Sequence, residues 1–187
     1  MLAYVFWHWS APGTSQPQYE EYLRKFHGAL AEYPPEGFTR SAAFRITGVR
    51  WLQQPSAYED WYLVNNFASL GILNDAAVSG QRKFPHDDAA RLAAGGTAGL
   101  YKLVDGKADF PAFRFAVWMT KPRDTSYDQF FQEARVWTQG RAALWQRQMT
   151  LGPTSEFCLQ SAEQIAIPER FSPVEVPLTL VTFAAAA

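Results

Sequence analysis

A single cysteine, Cys158, stands in a chain of 187 residues. No intrachain disulfide can form, so a secreted, disulfide-held fold gains no support. Charge of either sign is not in excess: 17 Lys+Arg against 18 Asp+Glu give a formal net charge of −1. That excludes the broad basic surface that phosphate-backbone binding needs. No apolar run approaches the roughly 18 residues of a membrane span. The opening stretch Met1–Trp9 lacks a basic region followed by a long apolar one, so no secretory signal is expected. These absences lead to the expectation of a cytoplasmic protein that binds neither nucleic acid nor membrane, as a monomer or homodimer. Three histidines and one cysteine never fall at zinc-ligand spacing, so no metal is expected. No Gly-x-Ser-x-Gly elbow occurs. The glycine-rich run Gly95-Gly96-Thr97-Ala98-Gly99 follows a helical stretch and enters a strand, the reverse of a phosphate loop, and reads as a helix cap and turn. The residues name no cofactor.

What is abundant is aromatic. Hydrophobic residues make up 48%, with 7 Trp, 8 Tyr and 14 Phe, enough to build one compact domain with a real core. Leu2 to Trp9 reads as a strand apolar on both faces, hence covered on both. A helix follows from about Pro17 to Tyr33, with Tyr19, Tyr22, Leu23, Phe26 and Leu30 at helical spacing. Strands are expected at Phe38–Thr47 and Tyr58–Phe67, helical stretches at Ser69–Ser79 and Pro85–Leu92, and a fourth strand at Thr97–Val104. The pattern then begins again. Phe113–Thr120 repeats the first strand, with Trp118 standing 111 positions after Trp7. A helix follows, capped by Thr125 or Ser126, with Tyr127, Phe130, Phe131, Ala134, Trp137 and Leu144 on its apolar side. Pairing Tyr127 with Tyr19 makes the connecting loop three residues shorter in the second copy. Glu156–Gln160 and Leu178–Phe183 take the places of its second and third strands, after which the copy runs out.

Strand–helix–strand–strand–helix–strand is the ferredoxin-like order. On this order and the Trp7/Trp118 repeat the chain resembles the dimeric α/β-barrel superfamily, in its form with two ferredoxin-like halves fused in one chain. The resemblance implies an α+β fold with residues 1–106 as a first repeat and 107–187 as a second, truncated one. It also implies antiparallel sheets facing each other with helices outside. Members hold small ligands between their sheets, sometimes haem, and some are oxygenases that work without a metal.

Strand alternation then nominates a site. Trp7 and Trp9, Arg45, Trp61 and Asn65, and Arg114 and Trp118 would face one cavity. Aromatic walls with a few polar groups suit a small aromatic molecule, and an arginine there suits an acidic one. The same aromatics would equally fill a packed core. His8, between two tryptophans, is the candidate catalytic base. His27 reads as structural, and His86 as part of a helix start. Three functions stay open: small-molecule binding, a cofactor-light oxygenase or isomerase using His8, and a purely structural role.

Overall fold

A computed structural model describes residues 1–149 and 154–186. Its elements are β1 (Leu2–Ser10), α1 (Gln16–Glu32), β2 (Phe38–Thr47), β3 (Ser56–Val64), α2 (Phe67–Ala77), α3 (Lys83–Arg91), β4 (Ala93–Asp105), β5 (Phe115–Met119), α4 (Tyr127–Thr138), β6 (Ala142–Arg147), β7 (Phe157–Ser161), β8 (Val174–Pro177) and β9 (Thr179–Ala185). Capping chemistry starts the helices. The Ser15 hydroxyl accepts from the Gln18 N–H at α1, and Asn66 accepts from the Ser69 N–H at α2. Ser126, not Thr125, caps α4, and Gln129 completes a capping box with it.

Nine strands form one continuous antiparallel sheet in the order β8-β5-β7-β6-β4-β1-β3-β2-β9. The expected pair of separate sheets is thus joined, because β6 pairs with β4. The sheet also curls on itself. β1 and β5 lie four places apart in the order, which in a flat sheet is roughly 19 Å. Yet the Trp7 and Trp118 rings on these strands are 5.3 Å apart. The two end strands are moreover neighbours in sequence: β8 pairs with β5, β9 pairs with β2, and only Leu178 lies between them.

The second half departs from expectation at three points. The helix ends at Thr138, and Leu144 belongs to a strand, β6, that the sequence pattern did not reveal. The 157–161 strand is therefore the third of its half, and β8 with β9 supplies a fourth. The cap positions Ser15 and Ser126 are 111 apart, as are Trp7 and Trp118, so the loop is not shortened. What the second half lacks is the helical segment: between β7 and β8 there is only the short 3-10 turn Glu169–Phe171. In the first half, α3 ends at Arg91 and β4 begins at Ala93, so Gly95 and Gly96 lie inside a strand and not in a cap.

Burial follows the alternation. Ala3, Val5 and Trp7 of β1 and Trp61 and Leu63 of β3 join the interior cluster. Leu2 of β1 and Val64 and Tyr62 of β3 pack under the helices with Phe26 and Leu30 of α1, and Tyr4 and Phe6 pack against that cluster. Among the described residues no helix is long and apolar enough to cross a membrane.

Candidate functional site

The interior is where the tryptophans meet. Trp7, Trp61 and Trp118 are fully buried and pack on one another together with Trp145. The Trp61 and Trp145 rings approach to 4.9 Å. Their polar partner is Glu59. The Trp7 indole N–H donates to its Oε2 at 2.8 Å and the Trp61 N–H to its Oε1 at 2.7 Å. Burial pushes the Glu59 carboxyl up to about 7, although the two indole donors oppose the shift.

Of the other members of the expected constellation, Arg45, Arg114 and Asn65 do not converge there. Arg45 lies on the helix side and its Nη1 donates to Glu20 Oε1 at 3.0 Å. Arg114 is exposed, and its Nη1 donates to the carbonyls of Pro111 and Phe113, each at 2.8 Å. Asn65 is exposed, just past the end of β3. Trp9 is half-buried and packs against the interior cluster. The interior is filled with rings, and neither of these two guanidinium groups enters it, because Arg45 finds a carboxylate and Arg114 finds carbonyls near the surface.

The described cavity with a chemical lining lies on the opposite face. It holds about 670 Å³ between β1, β3 and the helices α1, α2 and α3. Its walls are mostly apolar, with Phe6, Phe26, Leu23 and Leu73 among them. Among the described residues no lysine or arginine lines it. Its α2 side runs through the exposed residues Gly71, Asn74 and Val78, which leaves that wall open to solvent. A volume of this size suits a small molecule.

At its floor sits a polar chain. His8 is 2% exposed, and its ring is stacked between Phe6 and Tyr58 at 5.0 and 5.6 Å. Its Nδ1 is 2.6 Å from the Tyr19 hydroxyl. Its Nε2 is 3.1 Å from Asp60 Oδ2, within ion-pair distance but off-line for a full hydrogen bond. The same Oδ2 accepts from Tyr62 O–H at 2.8 Å and is 3.2 Å from His27 Nε2. His27 Nδ1 in turn is 2.7 Å from the Ser41 hydroxyl. Asp60 Oδ1 is buried with no partner among the described residues.

The electrostatics follow from this placement. Burial alone would raise the Asp60 carboxyl, but the attraction of His8 and His27 outweighs it and holds the group far below the carboxylate range. Tyr19 is driven far up, first by burial and then by the Asp60 charge, so its phenol keeps its proton. Because a carboxylate only accepts, His8 Nε2 carries the proton facing it, and Nδ1 of the neutral ring accepts from Tyr19 O–H. Tyr19, His8 and Asp60 thus form a contiguous polar chain, and all three line the cavity.

Sequence reasoning found His8 but not its partners. Tyr19 stood within an apolar helical stripe, and His27 read as structural. On the third strand the expected site takes the Trp61/Asn65 face, whereas Asp60 and Tyr62 lie on the other. The available signal was the acidic pair Glu59-Asp60 inside an otherwise aromatic strand, which burial makes costly without partners. His86, read as a helix start, lines the cavity 5.4 Å from the Phe26 ring.

No family model and no curated relative matches the chain. Solved structures do. A protein from Fusobacterium nucleatum subsp. nucleatum ATCC 25586, proposed to be a monooxygenase, superposes with a TM-score of 0.63 at 10% identity, covering 98% of this chain and 94% of its own. A second such protein, from Lactobacillus acidophilus NCFM, gives 0.57 at 8% identity over 98% and 96%. An anthrone oxidase-like protein gives 0.57 at 10% identity over 100% and 93%. At such identities the likeness is one of fold alone.

Proposed function

We propose that the cavity under α1, α2 and α3 binds a small, neutral, largely aromatic molecule and removes a proton from it. Tyr19 is the group that meets the substrate. Its oxygen takes the acidic substrate proton as its own proton passes to His8 Nδ1, and Asp60 balances the imidazolium that results. His8 is therefore the base, acting through a hydroxyl. Asp60 Oδ1, buried beside the cavity and unpartnered, offers an acceptor to a substrate N–H or O–H. The absence of lysine and arginine from the lining argues for a neutral molecule over the acidic one that the sequence suggested.

The observation that carries this reading is that the fold does not need these polar groups. We read residues 1–106 and 107–187 as two ferredoxin-like repeats, since β4-β1-β3-β2 and β8-β5-β7-β6 run in the same order. Trp7 pairs with Glu59 as Trp118 pairs with Cys158, which equates His8 with Met119 and Asp60 with Leu159. Phe44 pairs with Glu59 as Trp145 pairs with Cys158, which equates Ser41 with Ala142. The helix caps equate Tyr19 with Phe130. Met119, Phe130, Ala142 and Leu159 all belong to one apolar cluster. By the same offsets His27 and Tyr62 equate with the buried hydroxyls of Thr138 and Ser161, so one half holds no ionisable group at these positions, while the other sustains a buried carboxylate, two histidines and two phenols there.

The fold neighbours favour an oxygenase over an isomerase as the use of that proton transfer. The substrate anion would then be oxidised by dioxygen, with one oxygen atom retained and the other leaving as water. Anthrone, the molecule in the name of one neighbour, is a suitable probe. The expected result is oxygen uptake with anthrone consumption, reduced at least 100-fold in His8→Gln. Proton–deuterium exchange without oxygen uptake would point to the isomerase. Neither binding nor turnover of neutral aromatics would sink the reading.

A further inference from the structure

We propose that His27 is a positioning residue that sets the basicity of His8 through the carboxylate they share. The inference rests on the proposed role of His8 but is testable without any substrate. His8 Nε2 and His27 Nε2 lie 3.1 and 3.2 Å from one oxygen, Asp60 Oδ2. One negative charge can compensate one imidazolium and not two. His27 is fully buried and does not line the cavity, so no ligand reaches it. Its other nitrogen faces the Ser41 hydroxyl at 2.7 Å. A hydroxyl donates to a bare ring nitrogen and accepts from a protonated one, so Ser41 serves both states of the ring.

The groups facing this carboxylate can be named from every element around it. β1 brings His8, α1 brings Tyr19 and His27, β2 brings Ser41 behind His27, and β3 brings Tyr62. The phenols of Tyr19 and Tyr62 are both pushed up and stay neutral. The charge on His27 is therefore what decides how much of the Asp60 charge His8 feels. With His27 protonated, Asp60 is already compensated, and His8 remains a base able to accept a substrate proton. With His27 removed, the full charge falls on His8. The ring is then protonated before substrate arrives and cannot act as a base.

The test follows the ring signals of the three histidines by NMR during a pH titration of the substrate-free protein, assigned with His8→Gln and His86→Gln. In His27→Gln the pH at which His8 titrates should rise by about one unit. Ser41→Ala should move it the same way by less, because a buried imidazolium loses more than a neutral ring when its partner goes. The pH at which anthrone turnover switches on should rise with it. An unchanged or lowered His8 titration in folded His27→Gln overturns the proposal. Should His27→Gln fail to fold, Ser41→Ala decides, with no upward shift counting against it. If the histidines prove coupled but neutral aromatics neither bind nor react, the substrate-binding reading fails and the coupling stands.

Discussion

Side chains alternate along β3, so Glu59 and Asp60 face the interior and the helix side respectively. Asp60 has two histidines and is held ionised, whereas Glu59 has only indole donors and burial pushes its carboxyl up to about 7, so it is about half ionised at neutral pH. The difference has a measurable sign. Between the unfolded value of 4.5 and the folded value of about 7, the folded chain keeps a proton that the unfolded chain has lost. Stability from Glu59 is thus full below about 4.5 and falls as pH rises to 7, by roughly 3 kcal/mol. Glu59→Gln cannot ionise, so its stability relative to the wild type should rise by that amount between pH 4.5 and 8 in urea unfolding. Parallel curves for the two proteins would show that Glu59 is not the group involved. At this scale the sequence disclosed His8 as a candidate but concealed Tyr19 and Asp60. A tyrosine in an apolar stripe looks the same whether its hydroxyl is idle or bonded, and a site read from one face of a strand leaves every polar group on the other face out of view.

Among the elements, most of the first half was legible, because proline and glycine bracket long apolar strands and α1 carries a clean helical stripe. β6 was not. Trp137 and Leu144 are seven positions apart, so they continue one helical face, and Ala142-Ala143-Leu144 are good helix formers. Only the turn at Gln139 and Gly140, both with positive φ, separates α4 from β6. The glycines of β4 were misread for a related reason: they mark close approach of rings and not a turn. A Cβ on Gly96 would stand 2.4 Å from the Phe6 ring and 2.9 Å from the Trp7 carbonyl oxygen. The ring can swing but the backbone must shift. Gly96→Ala should therefore cost about 1–3 kcal/mol. It should also weaken binding of neutral aromatics, since Phe6 stacks on His8 and walls the cavity. Unfolding and ligand titration of the one variant check both, and a neutral result in both would mean that Phe6 is free to move.

At the scale of the whole molecule, the repeat we propose was suggested by Trp7 and Trp118, but the inequality of its halves was not. That inequality lies in what covers the sheet. The first half lays α2 and α3 across it and leaves a cavity, whereas residues 162–173 bring Ile165, Ile167 and Phe171 onto α4 and β7. Phe171 is fully buried, 4.8 Å from the Trp137 ring and 5.8 Å from Phe130. It therefore fills in the second half the room that the first half leaves as a cavity. Two consequences separate this from a symmetric two-site protein. Calorimetric titration with a neutral aromatic should give one equivalent bound per chain. Phe171→Ala should lower stability by roughly 3–5 kcal/mol, the cost of a large buried void. The stoichiometry of productive binding should stay at one, because Met119 and Leu159 stand where His8 and Asp60 would be needed. Two equivalents in the wild type, or loss of the first site in Phe171→Ala, would place the ligand in the second half.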